Sequence, residues 1–185
     1  MKIVLFGPPG AGKGTQAQKI KKVFQIPHLS TGDIFRDAIR NRTELGKRVK
    51  SILDSGELVP DQTVVDLVSE ELEKEIYSNG YILDGFPRTV AQAESFQNIL
   101  NKKGESLSAV VSLEVPETEL IRRILSRDEG RSDDTEEKVQ KRLQVYRNET
   151  EPVKAFYKNL GLVKEIKGTG TVQDIFERIT SAIQP

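Results

Sequence analysis

The nine residues Gly7-Pro8-Pro9-Gly10-Ala11-Gly12-Lys13-Gly14-Thr15 constrain this chain more than any other stretch, because of what flanks them. Before them runs Ile3-Val4-Leu5-Phe6, apolar and β-rich, as a buried strand requires. After them, Ala17, Ile20, Val23 and Phe24 recur at helical spacing between Lys13 and Phe24. A glycine-rich turn from strand to helix can point its backbone N–H groups at a polyphosphate, since glycine allows the φ values and the close approach that wrapping needs. The helix start adds unpaired N–H groups and a positive dipole end. Lys13 adds a mobile charge for β- and γ-phosphates, so Gly10, Ala11, Gly12, Lys13, Gly14 and Thr15 are the candidate triphosphate contacts. Such loops usually carry Ser or Thr directly after the lysine as a magnesium ligand. Here Gly14 intervenes and the hydroxyl moves to Thr15, which predicts a metal held mostly by phosphate oxygens and water.

The strand-then-helix rhythm continues. Tyr81-Ile82-Leu83 runs into Asp84-Gly85, Ala109 to Leu113 is closed by Pro116, and Leu162-Val163 with Ile166 makes a late strand. His28, after Pro27, opens a short strand-like run and reads as structural. Leu120, Ile121, Ile124 and Leu125 mark one helix face; Val139, Leu143 and Tyr146 mark another; Val172, Ile175, Phe176 and Ile179 mark a terminal one. This alternation predicts an α/β fold with a parallel sheet covered by helices on both faces, in one domain across 1–185. Two stretches break the pattern and read as insertions: the helical segment 30–59, and 126–134, whose residues Ser126 to Asp134 contain nothing apolar.

With 28 Lys+Arg against 28 Asp+Glu, the basic excess of a nucleic-acid or membrane-surface binder is missing. Cysteine is absent, which excludes disulfides, thiolate zinc sites and thiol nucleophiles. Ile3 to Phe6 is too short for a secretory or membrane-spanning segment. The expectation is a soluble, cytoplasmic protein.

Several ordered blocks make the signal specific. The loop extended to Gln16, Leu29-Ser30-Thr31-Gly32-Asp33-Ile34-Phe35-Arg36, Asp84-Gly85-Phe86-Pro87-Arg88-Thr89, Arg131-Ser132-Asp133-Asp134, Lys141-Arg142-Leu143 and Lys167-Gly168-Thr169-Gly170 together resemble the adenylate kinase family in its short-lid form. The resemblance implies a P-loop fold with a five-stranded parallel sheet, a helical nucleoside-monophosphate-binding insertion and a short lid. It implies reversible, Mg²⁺-dependent transfer from ATP to AMP giving two ADP, directly and in line, in a monomer.

By the same resemblance, Thr31 and Arg36 serve AMP, and the backbone of Glu57, Leu58 and Val59 contacts its adenine and ribose. Gly85, a cis Phe86–Pro87 bond, Arg88 and Gln92 complete the AMP side. Arg123 would stack on the ATP adenine, Arg127 would meet its phosphates, and Gly170 belongs to the adenine loop. Arg131 and Arg142 would neutralise the AMP phosphate and the group in flight.

The residues themselves allow other readings. Ser30 with Asp33 equally reads as a helix N-cap, Asp61 after Pro60 reads as a cap, and Asp134 with Glu137 reads either as a cap or as an orienter of guanidiniums. Gln92 alone reads as a solvated helix residue, although an amide suits a base edge. Asp84 is costly at the end of an apolar strand unless it meets a cation, so it is the candidate magnesium-linked carboxylate, through water. Arg122, Arg147 and Arg178 read as solvent decoration.

The nearest rival is a UMP/CMP kinase of the same family, and Thr31 with Gln92 favours AMP over it. A regulatory nucleotide-binding protein is the non-enzyme rival, but the Asn-Lys-x-Asp and Asp-x-x-Gly motifs of GTPases are missing.

Overall fold

The computed structural model describes residues 1–126 and 133–184. Its elements follow in the order β1 (Lys2–Phe6), α1 (Lys13–Phe24), β2 (His28–Ser30), α2 (Thr31–Arg40), α3 (Glu44–Asp54) and α4 (Asp61–Glu71). A 3₁₀ turn (Glu75–Tyr77) leads to β3 (Tyr81–Asp84), α5 (Val90–Lys102), β4 (Ala109–Glu114), α6 (Glu117–Leu125) and α7 (Glu136–Val145). A π-helical stretch (Tyr146–Thr150) then joins α8 (Glu151–Asn159), followed by β5 (Val163–Lys167) and α9 (Val172–Ile183).

Among the described residues the five strands form one sheet in the order β2-β3-β1-β4-β5, every pair parallel. The expected five-stranded parallel α/β architecture is therefore present. β1 is central because it can be: Ile3, Val4, Leu5 and Phe6 are all buried, so both of its faces can be covered. Successive side chains point to opposite faces. Val4 and Phe6 join Leu83, Val110, Phe96, Val153 and Tyr157 in one core layer, whereas Ile3 and Leu5 join Ile82, Val111, Ile20, Ile124 and Ile179 in the other. β5 sits at the sheet edge and carries Lys164, Glu165 and Lys167 exposed, charges that discourage pairing with a further strand.

The order places β3 on one side of β1 and β4 on the other. Their carboxyl ends open a crevice at this reversal of strand order, the usual ligand position in open parallel sheets. Phe6 and Asp84 end there, directly below the loop that precedes α1.

Three sequence expectations, for Val23, Leu125 and Asp61, need correction. Val23 and Leu125 are exposed, at 60% and 47%, because each lies at a helix end whose stripe has already turned off the core. Asp61 is not a cap: Pro60 occupies that position, and the Asp61 carboxylate bonds to α5 instead. α5 and α8 form without having been singled out by periodicity. Ser30, by contrast, does cap α2, its hydroxyl accepting from the N–H of Asp33 at 3.2 Å. No described helix is long and apolar enough to cross a membrane.

Candidate active site

The loop between β1 and α1 has the backbone that phosphate binding demands. Gly10 and Gly12 adopt φ of 82° and 92°, a region costly to any side-chain-bearing residue. Gly12 is the N-cap of α1 and offers no side-chain acceptor, so the first-turn N–H groups of Lys13, Gly14 and Thr15 lack intrahelical partners. Lys13 Nζ donates to the carbonyls of Gly7 at 2.7 Å and Pro8 at 3.0 Å, folding over the loop.

A cleft of about 310 Å³ opens above the loop. Gly10, Gly12, Lys13, Gly14, Thr15, Asp33, Arg36, Asp84, Arg88 and Arg142 are among the residues on its walls. Three guanidiniums from three separate elements thus converge on one space. Arg36, on α2, is ion-paired to Asp33 at 2.5 Å. Arg88 donates through Nε to the Gly85 carbonyl at 2.8 Å. Arg142, on α7, pairs with Asp133 at 2.9 Å and Asp134 at 3.0 Å, which decides for the guanidinium-orienting role of those aspartates. Burial pushes the Arg88 guanidinium below its ordinary value; Asp84 opposes this, while the nearby Arg142 and Arg36 reinforce it. Arginine stays charged regardless. The result is a concentrated positive field with donors ready for a multiply charged anion.

Asp84 faces this field from the end of β3. Burial alone would raise its carboxyl, but His28, Lys13 and Arg88 outweigh that and hold it below the ordinary carboxylate value. His28 Nε2 lies 3.6 Å from Asp84 Oδ2, too long for a hydrogen bond but close enough for attraction. The lone histidine therefore touches the site, which its sequence position did not signal.

A carboxylate on the cleft wall, with Gly14 close enough that a Cβ there would lie 3.8 Å from Asp84 Oδ2, fits a magnesium ion carried by phosphates and water. No cluster of three or more acidic, His or Cys ligands exists among the described residues.

A narrower recess continues inward between Thr31, Phe35, Glu57, Leu58, Val59, Val64, Gly85 and Gln92. Its walls are mixed: Phe35, Leu53, Leu58, Val59 and Val64 supply apolar surface, and Thr31, Arg36, Glu57, Arg88, Gln92 and Arg142 supply polar groups. Thr31 Oγ1 donates to the Gly85 carbonyl at 2.9 Å. Gln92 is not solvated at all; it is 1% exposed. Phe86–Pro87 is cis, as the resemblance implied, and both residues line the larger cleft.

Not every expected residue gathers here. Arg123 lines neither recess; it is held by Glu119 at 2.7 Å and donates to the Gly168 carbonyl at 3.0 Å, linking α6 to the turn after β5. Gly170 lies in that turn, with φ of 110°. Arg178 is no solvent decoration: its Nη1 donates to the carbonyls of Lys167 at 2.8 Å and Thr169 at 2.7 Å and fixes the same turn. Arg147 bridges to Glu117 at 2.5 Å, and Arg122 to Glu119 at 2.7 Å, both on the surface. Arg127 and Arg131 lie outside the described residues. Val145, at the end of α7, also lines the cleft, as do Tyr146 and Thr150 from the π-helical stretch that follows, a turn with no sequence signature.

Comparison with known proteins agrees with this geometry. A family model described as adenylate kinase matches residues 5–162. The chain is 48% identical over 183 residues to the adenylate kinase of Thermus thermophilus, covering 98% of this chain and 96% of that protein. It is 45% identical over 185 residues to that of Bacteroides fragilis, covering 99% and 98%. With the Leptospira biflexa adenylate kinase the identity is 45% over 184 residues, covering 98% and 99%.

Proposed function

The chain belongs to the adenylate kinase family of nucleoside-monophosphate kinases, and from that premise we propose how its cleft exchanges a phosphoryl group between ATP and AMP. The observation that carries the reading is the convergence of Arg36, Arg88 and Arg142 opposite Lys13 and the glycine-rich loop. Two polyphosphate chains can meet there end to end.

In this reading Gly10, Ala11, Gly12, Lys13, Gly14 and Thr15 hold the β- and γ-phosphates of ATP. Arg123 and Gly170 support its adenine side, with Arg127 on its phosphates. AMP enters with its base in the recess of Thr31, Leu58, Val59 and Gln92, beside the backbone of Glu57. Its phosphate lies against Arg36 and Arg88, near Gly85, Phe86 and Pro87. A phosphate oxygen of AMP attacks the γ-phosphorus while the bond to the β,γ-bridging oxygen breaks, and that oxygen keeps the electron pair. Two ADP result.

No general base is required, because the attacking oxygen is already anionic near neutral pH. The protein's task is alignment and neutralisation of charge on the group in flight, performed by Lys13, Arg88, Arg131 and Arg142. Magnesium, when bound with ATP near Asp84, supplies further neutralisation of the β- and γ-phosphates. Residues 30–59 and 126–134 are proposed as the two segments that cover the cleft and keep water, the competing nucleophile, away. The equal numbers of basic and acidic residues, 28 of each, support free nucleotides rather than nucleic acid as partners, and we take the protein to act as a cytoplasmic monomer.

The test is product formation from Mg·ATP with AMP, UMP, CMP and GMP supplied separately, in the wild type and in Arg88→Ala. ADP is expected with AMP, and kcat/KM for AMP should fall at least about a hundredfold in the variant, as loss of a charge-stabilising donor requires. A preference for UMP or CMP would overturn the base assignment. An Arg88→Ala variant with undiminished kcat/KM would overturn the guanidinium assignment.

A further inference from the structure

Gln92 is buried, and both of its polar atoms are already engaged. Oε1 accepts from the backbone N–H of Arg88 at 2.8 Å, and Nε2 donates to Asp61 Oδ1 at 2.8 Å. The two ends of an amide are nearly the same size, so its orientation is decided by its partners. Neither partner here can reverse its role. A backbone N–H only donates, and a carboxylate only accepts. Turning the amide over would set N–H against N–H and oxygen against oxygen in a site closed to solvent.

Asp61 is itself fixed. Its Oδ1 also accepts from Thr89 Oγ1 at 3.0 Å, and that hydroxyl accepts from the N–H of Gln92 at 3.1 Å as the cap of α5. The first residue of α4 is thereby tied to the first turn of α5.

Each amide atom keeps one capacity unused: Nε2 has a second N–H and Oε1 a second lone pair. Gln92 lines the inner recess, whereas Asp61 does not. An N–H and a lone pair in a fixed order suit a 6-aminopurine, whose N1 accepts and whose amino group donates. A 6-oxopurine presents the reverse order, with a donor at N1 and an acceptor at O6.

We propose that Asp61 is a specificity-determining positioning residue: by locking the orientation of the Gln92 amide, it makes the recess reject 6-oxopurine monophosphates. The inference rests on the reading of the recess as the AMP base site. It adds to that reading the residue that enforces the choice without touching the substrate.

The experiment compares kcat/KM for AMP and for inosine 5′-monophosphate, at saturating Mg·ATP, in the wild type, Asp61→Asn, Asp61→Ser and Gln92→Ala. Asn and Ser can each donate as well as accept, so either removes the Asp61 half of the lock and leaves only the Arg88 N–H to oppose reversal; Asn keeps the shape and Ser suits a helix start. Each Asp61 variant is expected to lower the AMP-to-IMP ratio at least about tenfold with the KM for ATP within about twofold of wild type, one charged hydrogen bond being at stake. A structural role alone would lower both substrates together and leave the ratio unchanged. If Gln92→Ala lowers the ratio and both Asp61 variants preserve it, the Asp61 inference is overturned and the base site stands. If no variant changes the ratio, the base-site reading fails, and the inference fails with it.

Discussion

At the scale of single residues, Asp84 shows how a site forms around a group that burial alone would disfavour. His28, Lys13 and Arg88 hold its carboxyl below the ordinary value, so the folded state favours the ionised form. That preference stabilises the fold fully above the unfolded-state value of about 3.9, and it is lost as pH falls through the lower, folded value. Asp84→Asn should therefore flatten the dependence of unfolding free energy on pH below about pH 4, by up to about one proton. Urea unfolding measured across that range checks it, and an unchanged slope would assign the acid sensitivity to other carboxylates. Asp84 could be picked out in the sequence because a charged residue ends an apolar strand. Its partner could not, since nothing near His28 in the chain says that β2 lies beside β3.

At the scale of elements, the glycine-rich loop serves two purposes that its sequence does not separate. A Cβ on Gly10 would meet Ile124 Cγ1 at 2.8 Å and the Leu120 carbonyl at 2.9 Å, so this glycine lets α6 pack onto the loop. Around Gly12 a Cβ would meet nothing within 4 Å. Gly12→Ala should cost only the left-handed backbone strain, about 1 kcal/mol, whereas Gly10→Ala adds a backbone clash and should cost about 2–3 kcal/mol. Thermal unfolding should show the first losing about 2–4 °C and the second about twice that or more. Equal losses would mean that α6 yields freely. α4 and α5 make a similar case: Pro60-Asp61 reads locally as a cap, yet the Asp61 carboxylate is used by Thr89 and Gln92. Local pattern locates the start of α4, and packing decides what its first side chain does.

At the scale of the whole molecule, two recesses share the walls of Gly32, Arg36, Gly85, Arg88 and Arg142, so two ligands would join elements that are far apart in sequence. A ligand at a hundredfold excess over its Kd stabilises the native state by about 2.7 kcal/mol, or roughly 5–10 °C in Tm for a chain of this size. ATP and AMP should each produce a shift of that order. Arg88→Ala should lose the AMP shift and retain most of the ATP shift, which calorimetry at matched ligand concentrations can check. Loss of both shifts would indicate a single shared site.

The sequence by itself determined the α/β class, the position of the phosphate loop and the identity of the charged residues beside it. Those features are written in short-range pattern: apolar runs that must be buried on both faces, and glycines between a strand and a helix. It did not determine which arginines share a space, that Arg178 grips the turn before α9, that Gln92 is buried, or that Tyr146 and Thr150 are turned into the cleft. Those depend on strand order and helix packing, which bring together groups as distant along the chain as Asp61 and Gln92, or Arg36 and Arg142. A side chain's hydrogen-bonding partners and its burial are properties of that juxtaposition, and only the tertiary structure contains it.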